Sequence, residues 1–238
     1  MSAPRFHVDS ALALGTVRLP ERVAHHALHV LRLRDGAPLV LFNGRGGEYA
    51  GHLQLAAEPE AVLTAFDAVD RESPLSVTIV QALVASEKLD WIVEKLTELG
   101  VARLLVVPAE RSVVRLDGER LARRLAHWQE VAVAACAQCG RNRVPQVATP
   151  ATLQDALAGL DSGPRRMLLP EAVAPLDAAA AGTCTIAVGP EGGFTAAEQR
   201  ALAAAQFEPA RLGPRVLRTE TAGLAALAAL QCRGGDLA

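Results

Sequence analysis

From Leu75 onward, apolar residues fall into short unbroken runs separated by longer amphipathic stretches. Val77–Val80, Leu104–Val107, Arg166–Leu169 and Thr185–Val188 are runs of four, bounded by turn or breaker residues. Such runs suit strands buried on both faces of a parallel sheet. Between them, Glu87–Gly100 and Leu116–Gly140 carry the 3.6-residue period of amphipathic helices, each ended by a glycine. A last helix runs from about Thr219 to Cys232. Thr195-Ala-Ala-Glu198 has the spacing of a capping box, predicting a helix to about Gln206, with a strand over Pro209–Leu212 after it. Strand and helix therefore alternate, the pattern of an α/β fold with a parallel sheet.

The first 70 residues read differently. Arg5–Asp9, Pro38–Phe42, Glu48–Leu53 and Ala61–Phe66 are short strand-like runs around one helix that begins near Pro20. Asn43-Gly-Arg-Gly-Gly47 between two of them is a hairpin signal. These features predict a small β-barrel with one helix. Glu72-Ser-Pro74 punctuates the change, so the expected domains are 1–71 and 72–238.

Composition narrows the class. Half of the 238 residues are hydrophobic but only 3% are aromatic, so the core must be filled by Leu, Val and Ala. No apolar run reaches the roughly 18 residues needed to span a bilayer, and the first residues have no hydrophobic signal core. The expectation is a cytoplasmic protein. All basic residues but Lys88 and Lys95 are arginine. Residues 111–143 hold seven arginines against Asp117, Glu119 and Glu130, while Arg211, Arg215, Arg218 and Arg233 face Glu220 alone. Local basic patches on a chain of net charge −2 fit contact with a polyanion, although solvated helix faces have the same composition. Cys136-Ala-Gln-Cys139 lacks the second ligand pair of a zinc site, so it, Cys184 and Cys232 are expected to be buried, reduced and structural. His25, His26 and His29 share a helix without a carboxylate or Cys partner, and no metal site is expected.

Candidate chemistry concentrates in two loops. Gly189-Pro-Glu-Gly-Gly-Phe194 follows one predicted strand, and Leu212-Gly-Pro-Arg-Val-Leu-Arg-Thr-Glu-Thr-Ala222 follows the next. On parallel strands both loops emerge at the carboxyl edge, where open α/β sheets bind ligands. Glycine lets backbone approach such a ligand closely. The first loop lacks the Lys-Ser/Thr of a P-loop, and no G-x-G-x-x-G follows a strand, so neither a nucleoside triphosphate nor a dinucleotide is indicated.

With these motifs the chain resembles the RsmE family of SPOUT methyltransferases. The resemblance extends to Glu94-Lys-Leu-Thr-Glu-Leu-Gly100, Glu110-Arg-Ser-Val-Val114, Gln138-Cys-Gly-Arg141 with Val144-Pro145, the opening Pro-Arg-Phe and His29-Val-Leu-Arg-Leu-Arg34. Ala134, Ala137 and Cys139 depart from the family pattern. The resemblance implies S-adenosylmethionine-dependent methylation of N3 of a uridine in 16S ribosomal RNA. It also implies a C-terminal trefoil knot, a PUA-like barrel ahead of it, and a homodimer formed through the knot region. Action on another RNA base, or a non-catalytic role in ribosome assembly, stays open as an alternative.

On this reading the cofactor is held by Leu168, Leu169, Pro170, Gly189, Pro190, Glu191, Gly192, Gly193, Leu212, Gly213, Val216, Leu217 and Arg218. Arg218 is the expected electrostatic group toward a developing uridinate, with Glu191 or Glu220 accepting its proton or bracing the loops. Arg5, Arg32, Arg34, Arg45, Arg111, Gln138 and Arg141 are the expected contacts to 16S rRNA or the 30S subunit.

Overall fold

The computed structural model describes residues 3–176 and 182–237. The chain divides into two compact units, Met1–Glu72 with Cys136–Val144, and Ser73–Ala135 with Pro145–Ala238.

The first unit is built on a five-stranded sheet. Its strands are β1 (Arg5–His7), β2 (Gly15–Arg18), β3 (Pro38–Phe42), β4 (Glu48–Leu55) and β5 (Pro59–Asp67), in the order β1-β3-β4-β5-β2. All pairs are antiparallel except β1 with β3. The single helix α1 (Glu21–His25) starts directly after Pro20 and continues as one π-helical turn, His26–Val30. Phe6, Leu39, Leu41, Leu53 and Leu63 bury one face of the sheet beneath Val23 and Ala27 of the helical segment. A second layer of order is polar. Glu48 Oε2 accepts from Arg5, from Arg71 Nη1 at 3.0 Å and from Asn142 Nδ2 at 3.1 Å. Burial pushes the Glu48 carboxyl up, but the hydrogen bonds from Arg71, Arg5 and Asn142 outweigh it and bring its pKa down to about 2.

The second unit carries a six-stranded sheet in which every pairing is parallel. It comprises β6 (Ser76–Ala82), β7 (Arg103–Val107), β8 (Gln146–Ala148), β9 (Arg165–Leu168), β10 (Thr183–Val188) and β11 (Phe207–Ala210), ordered β11-β9-β10-β6-β7-β8. Central β6 is buried along all but its first residue, as its apolar run predicts. Helices α2 (Ser86–Glu98), α3 (Gly118–Cys139, whose residues from Cys136 on belong to the first unit), α4 (Leu153–Ala158), α5 (Ala196–Ala204) and α6 (Thr219–Gly234) complete it. Gly100 and Gly140 take φ of +83° and +90° just past α2 and α3, the left-handed step that ends a helix.

The strand predicted at 209–212 lies instead at Phe207–Ala210. Phe207 is buried and anchors it, while Pro209 is accommodated because β11 is an edge strand. No helix among the described residues is long and apolar enough to cross a membrane.

Candidate functional site

The carboxyl ends of β9, β10 and β11 converge on a cavity of about 630 Å³. The turn after β9 contributes Leu168–Glu171 and the turn after β10 contributes Val188–Phe194. Ala210, Leu212, Gly213 and Arg215–Glu220 come from the segment that joins β11 to α6. Every residue expected from sequence to hold a cofactor therefore lines one cavity, as does Glu220.

Local chemistry explains the two loops. Gly193 N–H donates to the Pro190 carbonyl at 2.8 Å, closing a tight turn over Pro190–Gly193. Gly193 adopts φ +68° and Gly213 φ +69°, and a Cβ at either would project into open space. The cavity wall at these points is bare backbone, with unobstructed room beside it. Gly189 differs: a Cβ there would press on Gly193 and on the Phe194 amide at 3.1 Å. Glycine is thus needed at 189 for packing, and at 193 and 213 for backbone conformation.

Buried hydrogen bonds tie the loops to the scaffold. Thr219 Oγ1 donates to the Gly189 carbonyl at 2.7 Å and accepts from Gln81 Nε2 at 3.0 Å. This chain links β6, the first glycine loop and the start of α6. The capping box forms as predicted, with Thr195 and Glu198 bonding each other's backbone N–H. Glu198 Oε1 also accepts from Glu110 N–H at 2.9 Å, holding the loop after β7 beside α5.

One ammonium spans both motif carboxylates. Lys88 Nζ, from the first turn of α2, lies 2.6 Å from Glu191 Oε1 and 3.5 Å from Glu220 Oε2. The Lys88 hydrogen bond holds the Glu191 carboxyl below its ordinary range, and the same bond raises Lys88. Glu220 Oε2 is buried and accepts no hydrogen bond, its nearest cation being Lys88 at 3.5 Å. Arg218, at the N-cap of α6, extends into solvent with its side chain 84% exposed, 3.9 Å from Glu220 Oε1. The guanidinium expected to be fixed is held in this state by one long contact.

Lys88 was missed by sequence reasoning, although a signal existed: it is one of two lysines in a chain that otherwise uses arginine. Phe194, Gln199 and Arg215 also line the cavity without having been singled out.

The expected RNA contacts divide. Arg32, Arg34, Arg45 and Gln138 are exposed on the first unit. Arg5 and Arg141 are corrected by the structure. Arg5 pairs with Glu48 and donates to Asn142 Oδ1 at 2.6 Å, stacked over the Phe42 ring. Arg141 is 5% exposed and forks onto Glu72. Both cations neutralise internal carboxylates, so neither is presented to a phosphate. Arg111 Nη1 donates to the Gly192 carbonyl at 2.8 Å and belongs to the cavity rim.

The cysteine expectation holds in part. Cys136 is buried and its thiol is pushed up to about 12 by burial, whereas Cys139 and Cys184 are half-buried and Cys232 is exposed. All four are free, and no cluster of metal-ligating side chains occurs among the described residues.

Comparison with known proteins agrees with this geometry. Residues 71–231 match the family described as RNA methyltransferase domain, and residues 19–64 match the RNA methyltransferase PUA domain. Ribosomal RNA small subunit methyltransferase E of Mycobacterium bovis is 36% identical, covering 97% of this chain and 92% of its own. Its counterpart from Neisseria gonorrhoeae, solved bound to S-adenosyl methionine, superposes with a TM-score of 0.89 at 36% identity over 100% of both chains. A putative methyltransferase from Legionella pneumophila, in complex with bound S-adenosylmethionine, gives 0.94 at 32% identity, again over 100% of both chains. The chain belongs to the ribosomal RNA small subunit methyltransferase E family, the RsmE family of RNA methyltransferases.

Proposed function

We propose that the protein transfers a methyl group from S-adenosylmethionine to N3 of a uridine in 16S rRNA of the small ribosomal subunit, in the cytoplasm. The observation that carries this reading is the single cavity made by the two glycine loops at the carboxyl edge of the parallel sheet. Its volume falls within the ~300–1,000 Å³ of small-ligand sites. The open space beside Gly193 and Gly213 leaves room for a ligand against bare backbone, so the residues present fit the cofactor. When bound, the cofactor supplies an electrophilic methyl group on a sulfonium centre.

The remaining work falls to this chain. Uridine N3 carries a proton at neutral pH, which must leave for the nitrogen to act as nucleophile. Glu220 suits its acceptance better than Glu191, because Glu191 is engaged by Lys88 at 2.6 Å and held a weaker base. Glu220 Oε2 accepts no hydrogen bond and lies at the same cavity. Arg218, exposed beside Glu220, offers a guanidinium to O2 or O4 of the base as negative charge develops there. Thr219 and Gln81 hold the loop that carries these groups.

Three structural elements belong to the same reading. The segment from β11 into α6 is the expected site of a trefoil knot, and the first unit's sheet the expected PUA-like barrel with Arg32, Arg34 and Arg45 toward RNA. A homodimer through the knot region completes the reading. Titrating S-adenosylmethionine into the wild type and into Gly193→Arg tests the cofactor assignment. Micromolar-range binding lost in the variant is expected; no binding by the wild type overturns it.

A further inference from the structure

A ridge of arginines runs along the start of α3, on the unit that holds the cavity. Arg120, Arg123 and Arg124 lie at helical spacings of three and four, so they share one face. Arg115 precedes them in the loop that leaves β7. Arg115, Arg120 and Arg123 are exposed and Arg124 half-buried, and none of the four guanidinium groups makes an ion pair or hydrogen bond among the described residues.

Fold stability does not account for them. Unpaired N–H groups give a helix start a partial positive charge, and each cation there costs about 0.3–1 kcal/mol. Glu119 is the one carboxylate in the first turn, set against Arg120 beside it and two more arginines in the turn that follows. Trp128, four residues after Arg124, is fully buried with its Nε1 donating to Asp90 at 3.0 Å, so the half-buried Arg124 borders the packed stripe of α3 while Arg120 and Arg123 are exposed. The exposed Arg120 and Arg123 therefore add nothing to the buried face of the helix.

Topology puts the ridge at the reaction edge. β7 is parallel to the cavity-forming strands, so the loop after it rises at the same carboxyl edge. Arg111 of that loop already touches Gly192. Only six residues lie between Arg111 and Gly118, the first residue of α3, a reach of at most about 24 Å over seven steps. The loop that borders the cavity at Arg111 thus leads directly into α3, whose arginines stand in its first two turns.

We propose that Arg115, Arg120, Arg123 and Arg124 form a phosphate-docking ridge that holds the substrate RNA across the mouth of the cavity. This rests on the RNA-methylating reading above and adds to it a surface on the second unit, separate from the first unit's exposed arginines. The partner is RNA, because a row of unpaired guanidinium groups matches a polyphosphate backbone and offers nothing apolar to a protein.

The test compares wild type, Arg120→Gln/Arg123→Gln/Arg124→Gln, and the corresponding triple Lys variant. Each is titrated with 16S rRNA transcript at several salt concentrations, alongside S-adenosylmethionine titration and steady-state methylation of 30S particles. Three lost phosphate contacts should lower the log–log salt slope by about 2. The Gln variant should also raise KM for RNA about tenfold at unchanged kcat and cofactor affinity, with the Lys variant restoring most of the slope. An unchanged slope and KM overturn the ridge, as does an rRNA-independent change in oligomeric state in the Gln variant with RNA affinity intact. Wild-type protein that binds rRNA with the predicted slope change but never methylates it would leave the ridge standing and refute the methyltransferase reading instead.

Discussion

Lys88 Nζ lies 2.6 Å from Glu191 Oε1, joining the first turn of α2 to the turn between Pro190 and Gly193. The same ammonium is 3.5 Å from Glu220, so one cation braces both glycine loops against the sheet. Each partner is partly exposed, and the pair contributes only about 0.5 kcal/mol to stability after solvent screening. Its importance lies in loop position.

Lys88→Met should therefore weaken S-adenosylmethionine binding several-fold while the melting temperature falls by no more than a few degrees, with Lys88→Arg recovering part of the affinity. The pH dependence follows from the two shifts. Glu191 is lowered, so its contribution is present above its ordinary carboxylate range and is lost as pH falls through the lowered value. Lys88 is raised, so its contribution is complete below its ordinary range and is lost as pH rises through the raised value. Cofactor affinity should be flat between about pH 6 and 9 as far as this pair governs it. A strong slope there in wild type, absent in Lys88→Met, would contradict the assignment.

Thr219→Val removes the hydroxyl that both donates to Gly189 O and accepts from Gln81. The isosteric change deprives the Gly189 carbonyl of its donor and leaves Gln81 Nε2 with only the Ala82 carbonyl, and should cost about 1–3 kcal/mol. Denaturant unfolding measures the loss. Cofactor affinity should drop with it, and Thr219→Ser should retain both.

Glu48 governs acid stability of the first unit. Its carboxyl is depressed to about 2, so its contribution is fully present above pH 4.5 and disappears as pH falls toward 2. Glu48→Gln should destabilise by about 3 kcal/mol at pH 7, because Arg5 and Arg71 lose their shared partner in a part-buried site. The difference between variant and wild type should shrink on acidification. Thermal melts from pH 7 to pH 3 read it directly.

The fold was legible where local chemistry is self-contained. Thr195 and Glu198 announce their helix because both halves of the cap lie within four residues. Gly100 and Gly140 announce helix ends because a left-handed residue is needed there. Other elements exist only through partners distant in sequence. β2 is four residues paired with β5, and β8 is three residues paired with β7, too short for any period to register. α4 is a six-residue helix whose cap, Thr152, was not recognised as one. The site was legible as two loops, since glycine spacing marks backbone wall. What stayed hidden was charge pairing: Lys88 meets Glu191 from 103 residues away, and Arg5 meets Asn142 from 137. Cys232 misled because the apolar sequence of α6 does not disclose which side of the helix faces solvent.

Arg218 separates binding from chemistry. Its side chain is exposed and held by one 3.9 Å contact, so Arg218→Ala should leave stability and cofactor affinity nearly unchanged. Loss of a charge-stabilising donor of this kind lowers kcat by about 10²–10³. Single-turnover methylation of 30S particles with saturating cofactor isolates that step. A rise in KM at constant kcat would recast Arg218 as a docking residue.

The central claim is tested most directly by mapping the product. Unmodified 30S particles are incubated with wild-type protein and isotopically labelled S-adenosylmethionine, and the 16S rRNA is digested and read by mass spectrometry. The predicted result is label in N3-methyluridine at one 16S position. Label on a ribose or on another base, or no transfer at all, would contradict it.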